Sequence, residues 1–96
     1  MKPQQDHFPR RGEIWWVSFD PSIGTESKKT RPAIIVSNDI SNEFLERAQV
    51  VPLTSNTAHV YPSETIIIAH GVKNKAAADQ IATVSKKRLQ NKIGHI

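Results

Sequence analysis

Short runs of β-branched and aromatic residues recur along the chain, separated by polar segments rich in turn-forming residues. The first run, 13–20, carries apolar side chains on both faces of an alternating strand, so the core or a partner must cover both. Further strands are predicted at 32–37, 49–54 and 64–69. Segment 76–84 is ambiguous, because its alanines favour helix whereas its later β-branched residues favour strand; we favour strand. Strands this short, spaced by about ten residues, predict a small β-barrel.

The segments between these strands predict loops and one or two short helices. Residues 21–30 predict a solvated loop, 41–48 an irregular turn or one short helix, and 70–75 a glycine-containing turn. Ser85 is a suitable N-cap for a short helix that ends at Gln90. The fold class expected from this pattern is mainly β (α+β), with little helix.

One domain accounts for the whole chain. Its 96 residues leave no room for a second core, and so small a core has a thin stability margin that dimerisation would widen. Residues 1–10 are mostly polar and are expected to form a loose arm, followed by a single domain over 11–96. No cysteine is present, which excludes disulfides, thiolate zinc sites and cysteine nucleophiles. No apolar run approaches the ~20 residues of a membrane span and no secretory signal is visible, so we expect a soluble, cytoplasmic protein.

Charge adds a hint about partners. The formal net charge is +4, from 13 Lys and Arg against 9 Asp and Glu, and the basic residues concentrate at 28–31 and 86–92. Such an excess suits a polyanion or an acidic protein partner, provided that the fold brings both clusters to one groove. The second cluster also opens the predicted short helix with the wrong sign for the helix dipole, a weak indication of a docked anion.

The common motifs for metal or phosphate chemistry are missing from the sequence. There is no glycine-rich phosphate loop, no HExxH motif and no cluster of carboxylates and histidines at metal-ligand spacing. The histidines lie in predicted turns or near the chain ends, where exposed loop residues are more common than bases. A hydrolase with this sequence is therefore expected to work without a metal or another cofactor.

Two segments can carry chemistry of a different kind. Arg31 precedes a buried strand, from which its planar guanidinium can reach two phosphate oxygens, although a surface salt bridge to Glu26 or Asp20 is the simpler explanation. Thr54 ends a predicted strand in which Pro52 indicates a bulge or an edge position. Its hydroxyl, like that of Ser55, is by itself the ordinary mark of a strand-end cap.

Together, these segments resemble the MazF/PemK family of toxins. The resemblance rests on RGEIWWV at 11–17, Asp20-Pro21, Gly24-Thr25-Glu26, Thr30-Arg31-Pro32, Ser37-Asn38-Asp39, VPLTS at 51–55, Asp79-Gln80-Ile81 and SKKRL at 85–89. The segments occur in order and at suitable separations from residue 11 onward. The combination is specific, whereas any one of them alone would mean little.

The resemblance implies a compact SH3-like β-barrel that forms a homodimer, cuts single-stranded RNA at short sequences and is held inactive by an antitoxin. It also implies that Arg31 is the catalytic arginine and Thr54 its hydroxyl partner, with Glu26 in a loop over the site. The residues expected to bind RNA are Lys28, Lys29, Ser55, Gln80, Lys86, Lys87 and Arg88. An acidic antitoxin segment is expected to cross the same groove.

The reaction that these roles permit is attack of a ribose 2′-hydroxyl on the neighbouring phosphorus, which leaves a 2′,3′-cyclic phosphate and a 5′-hydroxyl. The RNA supplies the nucleophile, so no metal-bound hydroxide is needed, and Glu26 is the candidate proton acceptor. Trp15 and Trp16 are available for base stacking, although aromatics in such a run more often serve a core or a dimer interface.

Two other functions remain open at this stage. One is a CcdB-like toxin of the same architecture that binds DNA gyrase and cuts nothing, and the other is a non-catalytic SH3-like module that binds nucleic acid. Members of the MazF/PemK family usually continue into a longer C-terminal helix after the Arg-Leu segment, and that helix is expected to be missing here.

Overall fold

A strongly curled antiparallel sheet makes up most of the molecule. The computed structural model describes residues 8–19, 30–69 and 71–96. Within them lie the strands β1 (Glu13–Ser18), β2 (Thr30–Ile35), β3 (Arg47–Thr54), β4 (Glu64–Ala69), β5 (Val72–Ala77), β6 (Ala82–Ser85) and β7 (Leu89–His95), and the helix α1 (Asp39–Phe44). Two 3₁₀ turns, Ala78–Gln80 and Lys86–Arg88, connect the last three strands. The prediction of a mainly β, SH3-like barrel with very short helices is confirmed.

β3 is the central strand and changes partner along its length. The strands follow the order β4-β5-β3-β2-β1-β7, and β6 also pairs with β3. On the edge facing away from β2, β3 pairs with β6 as far as Val50 and with β5 from Leu53 onward. Pro52 lies at this exchange and faces Ala33 of β2 on the other side. The predicted edge position is therefore wrong for the strand as a whole, although proline, which lacks an N–H, falls where β3 changes neighbours.

Each face of the curled sheet buries its own apolar cluster. One cluster contains Ile14, Ile34, Val51, Leu53 and Ala76. The other contains Val17, Ala33, Ile35, Val50 and Val84, with Trp15 and Phe19 packed against it. Successive residues of β1, β2 and β3 alternate between the two clusters, as period-2 side-chain geometry requires. The sequence-based expectation that β1 is apolar on both sides is thus confirmed, while Trp16 remains 41% exposed.

Several boundaries differ from the sequence-based prediction. The second strand begins at Thr30 and ends at Ile35, because Asn38 caps a helix immediately afterwards by accepting from Ser41 N. The predicted turn at 70–75 is wrong beyond Gly71, since β5 begins at Val72 and pairs directly back onto Ala69. Gly71 has φ of 75°, a left-handed conformation that favours a tight reversal before β5. Segment 76–84 is strand at both ends, with a 3₁₀ turn between.

The C-terminal part is strand where a helix was predicted. Ser85 does act as an N-cap, because its Oγ accepts from Lys87 N at 3.1 Å. The turn that it caps ends at Arg88, however, and residues 89–95 pair with β1 instead of completing a helix to Gln90. The outer edge of β1 has a row of backbone donors and acceptors, and this non-local pairing satisfies them. In the described ranges, no helix is long and apolar enough to cross a membrane.

Candidate functional site

The register between β2 and β3 places Arg31 and Thr54 on one face of the sheet. Ala33 pairs with Pro52 and Ile35 with Val50, so continuing the same antiparallel register by two residues brings position 31 opposite position 54. Both residues line a cleft of about 200 Å³. The two side chains on which the sequence-based hypothesis depends therefore meet in one cavity, which spacing along the chain could not establish.

A second hollow of about 340 Å³ adjoins this cleft. It is lined by Phe19, Arg31, Pro52, Gln80 and Ala82. Three of these, Arg31, Pro52 and Gln80, also line the first cleft, so the two hollows form one channel, which we call the Arg31 groove. Gln80 reaches it from the 3₁₀ turn between β5 and β6. Phe19 is an aromatic side chain of the groove that the sequence pattern did not single out as a stacking surface, because it lies in the same apolar run as Trp15 and Trp16.

The Thr54 hydroxyl is oriented by the backbone that follows it. Asn56 N donates to Thr54 Oγ1 at 3.2 Å, and Asn56 Oδ1 in turn accepts from Ala58 N at 3.2 Å. The hydroxyl oxygen thus serves as an acceptor within the turn, and its own hydrogen remains available as a donor. The half-buried Thr54 can therefore cap the strand end and also donate to an oxygen atom in the groove.

An ion pair lies in the same cleft and was missed from the sequence. Lys75 of β5 is the direct cross-strand partner of Thr54. Its Nζ lies 3.3 Å from Glu64 Oε1 of β4, and each side chain is only 11% exposed. The Tyr61 backbone N–H, followed by the Lys75 ammonium group, lowers the pKa of the Glu64 carboxyl below its ordinary value of 4.5. Only the pairing of β4 with β5 brings Glu64 and Lys75 together, so a prediction of this hairpin from the sequence would have been needed to find the ion pair.

The basic segment 86–88 does not enter the groove as a unit. Lys86 Nζ donates to the Glu43 carbonyl oxygen of α1 at 3.3 Å, whereas Arg88 Nη1 donates to the Ser18 carbonyl oxygen at 3.2 Å. Arg88 is therefore anchored one residue from Phe19 of the groove, while Lys86 reaches toward the helix. None of 86–88 is among the described residues that line the groove.

The remaining candidates are placed only in part. Ser55 is exposed at the end of β3, directly after Thr54. Glu26, Lys28 and Lys29 lie outside the described residues, so their roles stay predictions. Within the part of the chain that the structure describes, no three histidine, aspartate or glutamate side chains are grouped so that they could hold a metal ion.

Comparison with known proteins identifies relatives of this chain. Residues 10–96 match the family model described as PemK-like, MazF-like toxin of type II toxin-antitoxin system. The chain is 43% identical to Endoribonuclease MazF9 of Mycobacterium tuberculosis, over 91% of this chain and 81% of that protein. It superposes on the crystal structure of MazF from Deinococcus radiodurans with a TM-score of 0.75 at 29% identity, covering 92% of this chain and 81% of that one. A mycobacterial endoribonuclease in complex with its cognate antitoxin superposes with a TM-score of 0.73 at 26% identity, covering 92% of this chain and 79% of that one.

Proposed function

This chain belongs to the PemK/MazF family as an endoribonuclease toxin of a toxin–antitoxin system, and we propose that it cuts single-stranded RNA in the Arg31 groove by attack of a ribose 2′-hydroxyl. The observation that carries the proposal is the meeting of Arg31 and Thr54 in one cleft. A guanidinium and a hydroxyl donor can together hold the nonbridging oxygens of a phosphodiester.

The reaction is a transfer within the RNA. The 2′-oxygen bonds to the adjacent phosphorus while the bond from phosphorus to the 5′-oxygen breaks, which gives a 2′,3′-cyclic phosphate and a 5′-hydroxyl. One proton leaves the attacking 2′-hydroxyl and one is delivered to the departing oxygen. Because the nucleophile is part of the substrate, the protein's task is to orient it and to stabilise the negative charge that develops on the phosphorane.

Arg31 is assigned the charge-stabilising role. Its planar, permanently charged fork can donate two hydrogen bonds to the phosphorane oxygens, and such donors are most effective where charge develops in the transition state. The Thr54 hydroxyl fixes the same phosphate, since its own oxygen is already oriented by Asn56 N. A guanidinium group has donors and no acceptor, which makes it a poor base, so Glu26 is proposed to accept the proton from the 2′-hydroxyl.

Recognition of the RNA is proposed to occur along the rest of the groove. Gln80 has both donor and acceptor atoms for a base edge, and Phe19 provides a stacking surface next to it. Ser55 and the basic residues Lys28, Lys29, Lys87 and Arg88 are proposed to follow the phosphate backbone. Lys86 has the weakest case among the predicted RNA-binding residues, because its ammonium group donates to the Glu43 carbonyl oxygen of α1.

The proposed partners follow from charge and from the relatives. Two copies of the chain in a homodimer would carry twice +4, a charge of +8, which suits an acidic antitoxin segment lying across the groove. One structural relative was solved in complex with its cognate antitoxin. We propose that the same class of partner blocks this groove, and that the toxin acts in the cytoplasm on messenger RNA.

A cleavage assay in EDTA tests the function. The purified chain is incubated with an unstructured RNA, and the fragment ends are identified by mass spectrometry. Cyclic phosphate and 5′-hydroxyl ends are expected, and a 2′-deoxy substitution at the cleaved nucleotide should abolish cleavage there. Products with 5′-phosphates, or cleavage only after addition of a divalent ion, would contradict the mechanism. Gyrase inhibition without RNA cleavage, or RNA binding without cleavage, would support one of the two alternative functions.

A further inference from the structure

A row of three polar side chains crosses the sheet at the Arg31 groove. Arg31 on β2 continues the register toward Thr54 on β3, and Thr54 pairs directly with Lys75 on β5. Adjacent strands lie about 4.8 Å apart, so the backbones of Arg31 and Lys75 lie on either side of Thr54 at roughly one strand spacing each. All three residues line the same cleft. A single phosphate held by Arg31 and Thr54 would leave the third member of the row unused.

The surroundings of Lys75 hold its ammonium group in place. A lysine that is only 11% exposed loses much of its hydration, which is tolerated when a counter-ion and hydrogen bonds compensate. Here Glu64 Oε1 lies 3.3 Å from Nζ, and the His59 carbonyl oxygen accepts from Nζ at 2.9 Å. An ammonium group has three N–H donors, so these two contacts leave one for a ligand in the cleft.

We propose that Lys75 binds the backbone phosphate next to the one that is cleaved. The inference rests on the proposed function, because it assumes that the scissile phosphate is held by Arg31 and Thr54. Two cations on either side of one hydroxyl suit a chain of phosphates that crosses the strands, with one phosphate at each cation. The ligand class is thus a single-stranded polyanion with regularly spaced charges, and Lys75 sets its register in the groove.

Glu64 is the positioning residue in this arrangement. It contacts Lys75 and accepts from Tyr61 N, so the carboxylate is fixed between the loop before β4 and the ammonium group. Its negative charge also offsets one cation of the cleft, which reduces the attraction for anions that cannot bridge Arg31 and Lys75. Selectivity for a continuous strand over an isolated phosphate follows from that offset.

Salt dependence of RNA binding tests the role of Lys75. The ligand is an RNA with a 2′-deoxy substitution at the cleaved nucleotide, so that binding is measured without cleavage. For single strands, the slope of log K against log salt decreases in magnitude by about 0.7 for each phosphate contact that is lost. Lys75→Met is expected to reduce the slope by that amount and to weaken binding roughly tenfold. Lys73→Met removes an exposed lysine that pairs with Ile68, outside the groove, and should leave both unchanged.

Loss of the ion pair could disturb the hairpin, so a second variant and a folding control are needed. The double variant Lys75→Met/Glu64→Gln removes both charges and leaves no unpaired carboxylate; it should show the same reduced slope at an unchanged Tm. An unchanged slope in both Lys75 variants, or an equal loss in Lys73→Met, would overturn the proposal.

A substrate with one neutral linkage locates the contact. A methylphosphonate replaces each phosphate in turn, and the loss in affinity is compared between the wild type and Lys75→Met, as in a double-mutant cycle. Coupling is expected at one position, adjacent to the cleaved phosphate. Coupling at no position, with the wild type still cleaving RNA, would refute the role of Lys75 alone. Absence of RNA cleavage by the wild type would instead refute the proposed function.

Discussion

Arg31 and Thr54 occupy opposite strands two residues beyond the Ala33–Pro52 pair, so their side chains leave the same face of the sheet. Ala33 is completely buried in an apolar cluster, so packing helps to fix the backbone of β2 next to Arg31. The arginine lies near the start of one strand and the threonine at the end of the next. Because the strands are antiparallel, start and end meet at one rim of the sheet.

Removal of the guanidinium tests the principal role in catalysis. Arg31→Ala is expected to lower kcat/KM for RNA by about 10²–10³, the usual effect of losing one donor aimed at developing charge. Arg47→Ala is the matched control, since it removes an exposed arginine from the far end of β3, where that residue pairs with Ser85. Full activity of Arg31→Ala, with a normal Tm, would rule out the mechanism.

A pair of substitutions at position 54 separates the hydroxyl from the shape of the side chain. Thr54→Val keeps the β-branched form and strand preference but cannot donate to a phosphate, and we expect a loss of activity comparable to that of Arg31→Ala. Thr54→Ser keeps the hydroxyl and should retain most activity. Single-turnover cleavage rates provide the measurement. Equal activity of the valine and serine variants would show that the hydroxyl has no part in the reaction.

Gln80 is expected to influence which sequences are cut more than how fast the bond breaks. Its amide can read a base edge, whereas a neutral amide contributes little to a developing negative charge. Gln80→Ala should broaden the set of cleavage sites, as determined by sequencing the 5′-hydroxyl ends of the products. Asn91→Ala, on the exposed part of β7, provides a control with the same change in chemistry. An unaltered set of sites together with a rate loss as large as that of Arg31→Ala would contradict this assignment.

The stability of the fold should depend on pH through Glu13. Burial raises the pKa of this carboxyl, but the N–H groups of Arg10 and Trp15 and the Lys92 ammonium group outweigh it and hold the pKa below 4.5. A depressed pKa in the folded state contributes stability above the unfolded value of about 4.5, which is lost as pH falls through the folded pKa. Glu13→Gln should therefore reduce the free energy of unfolding by about 1 kcal/mol at pH 7 and flatten its decline below pH 4.5.

Urea unfolding at fixed protein concentration, followed by tryptophan fluorescence, measures this effect. Trp15 Nε1 donates to Glu13 Oε1 at 3.0 Å, so the probe lies at the group being tested. Glu46→Gln removes an exposed carboxylate and serves as the comparison. If the pH profiles of wild type and Glu13→Gln are parallel between pH 3 and 7, the carboxylate of Glu13 does not contribute in the way stated.

Local pattern was enough to predict most of the strands. The apolar run at 13–20 predicted that β1 is buried on both faces. The fourth strand was predicted at 64–69, which are the bounds of β4 in the structure. The prediction failed where a non-local contact decided the outcome. Residues 89–95 became a strand because β1 offered an unpaired edge, and Val72 began a strand because Gly71 allowed an immediate reversal.

The sequence by itself determined the fold class, because that follows from side-chain periodicity, and its resemblance to a known family pointed to the two residues on which the proposed mechanism rests. Only the tertiary structure decided that Arg31 and Thr54 share a cleft, that Lys86 contacts α1, and that Lys75 and Glu64 join the site. The physical reason is strand register. Which residues face each other across a sheet depends on hydrogen-bond pairing between distant segments, and a shift of one residue would turn every side chain to the other face.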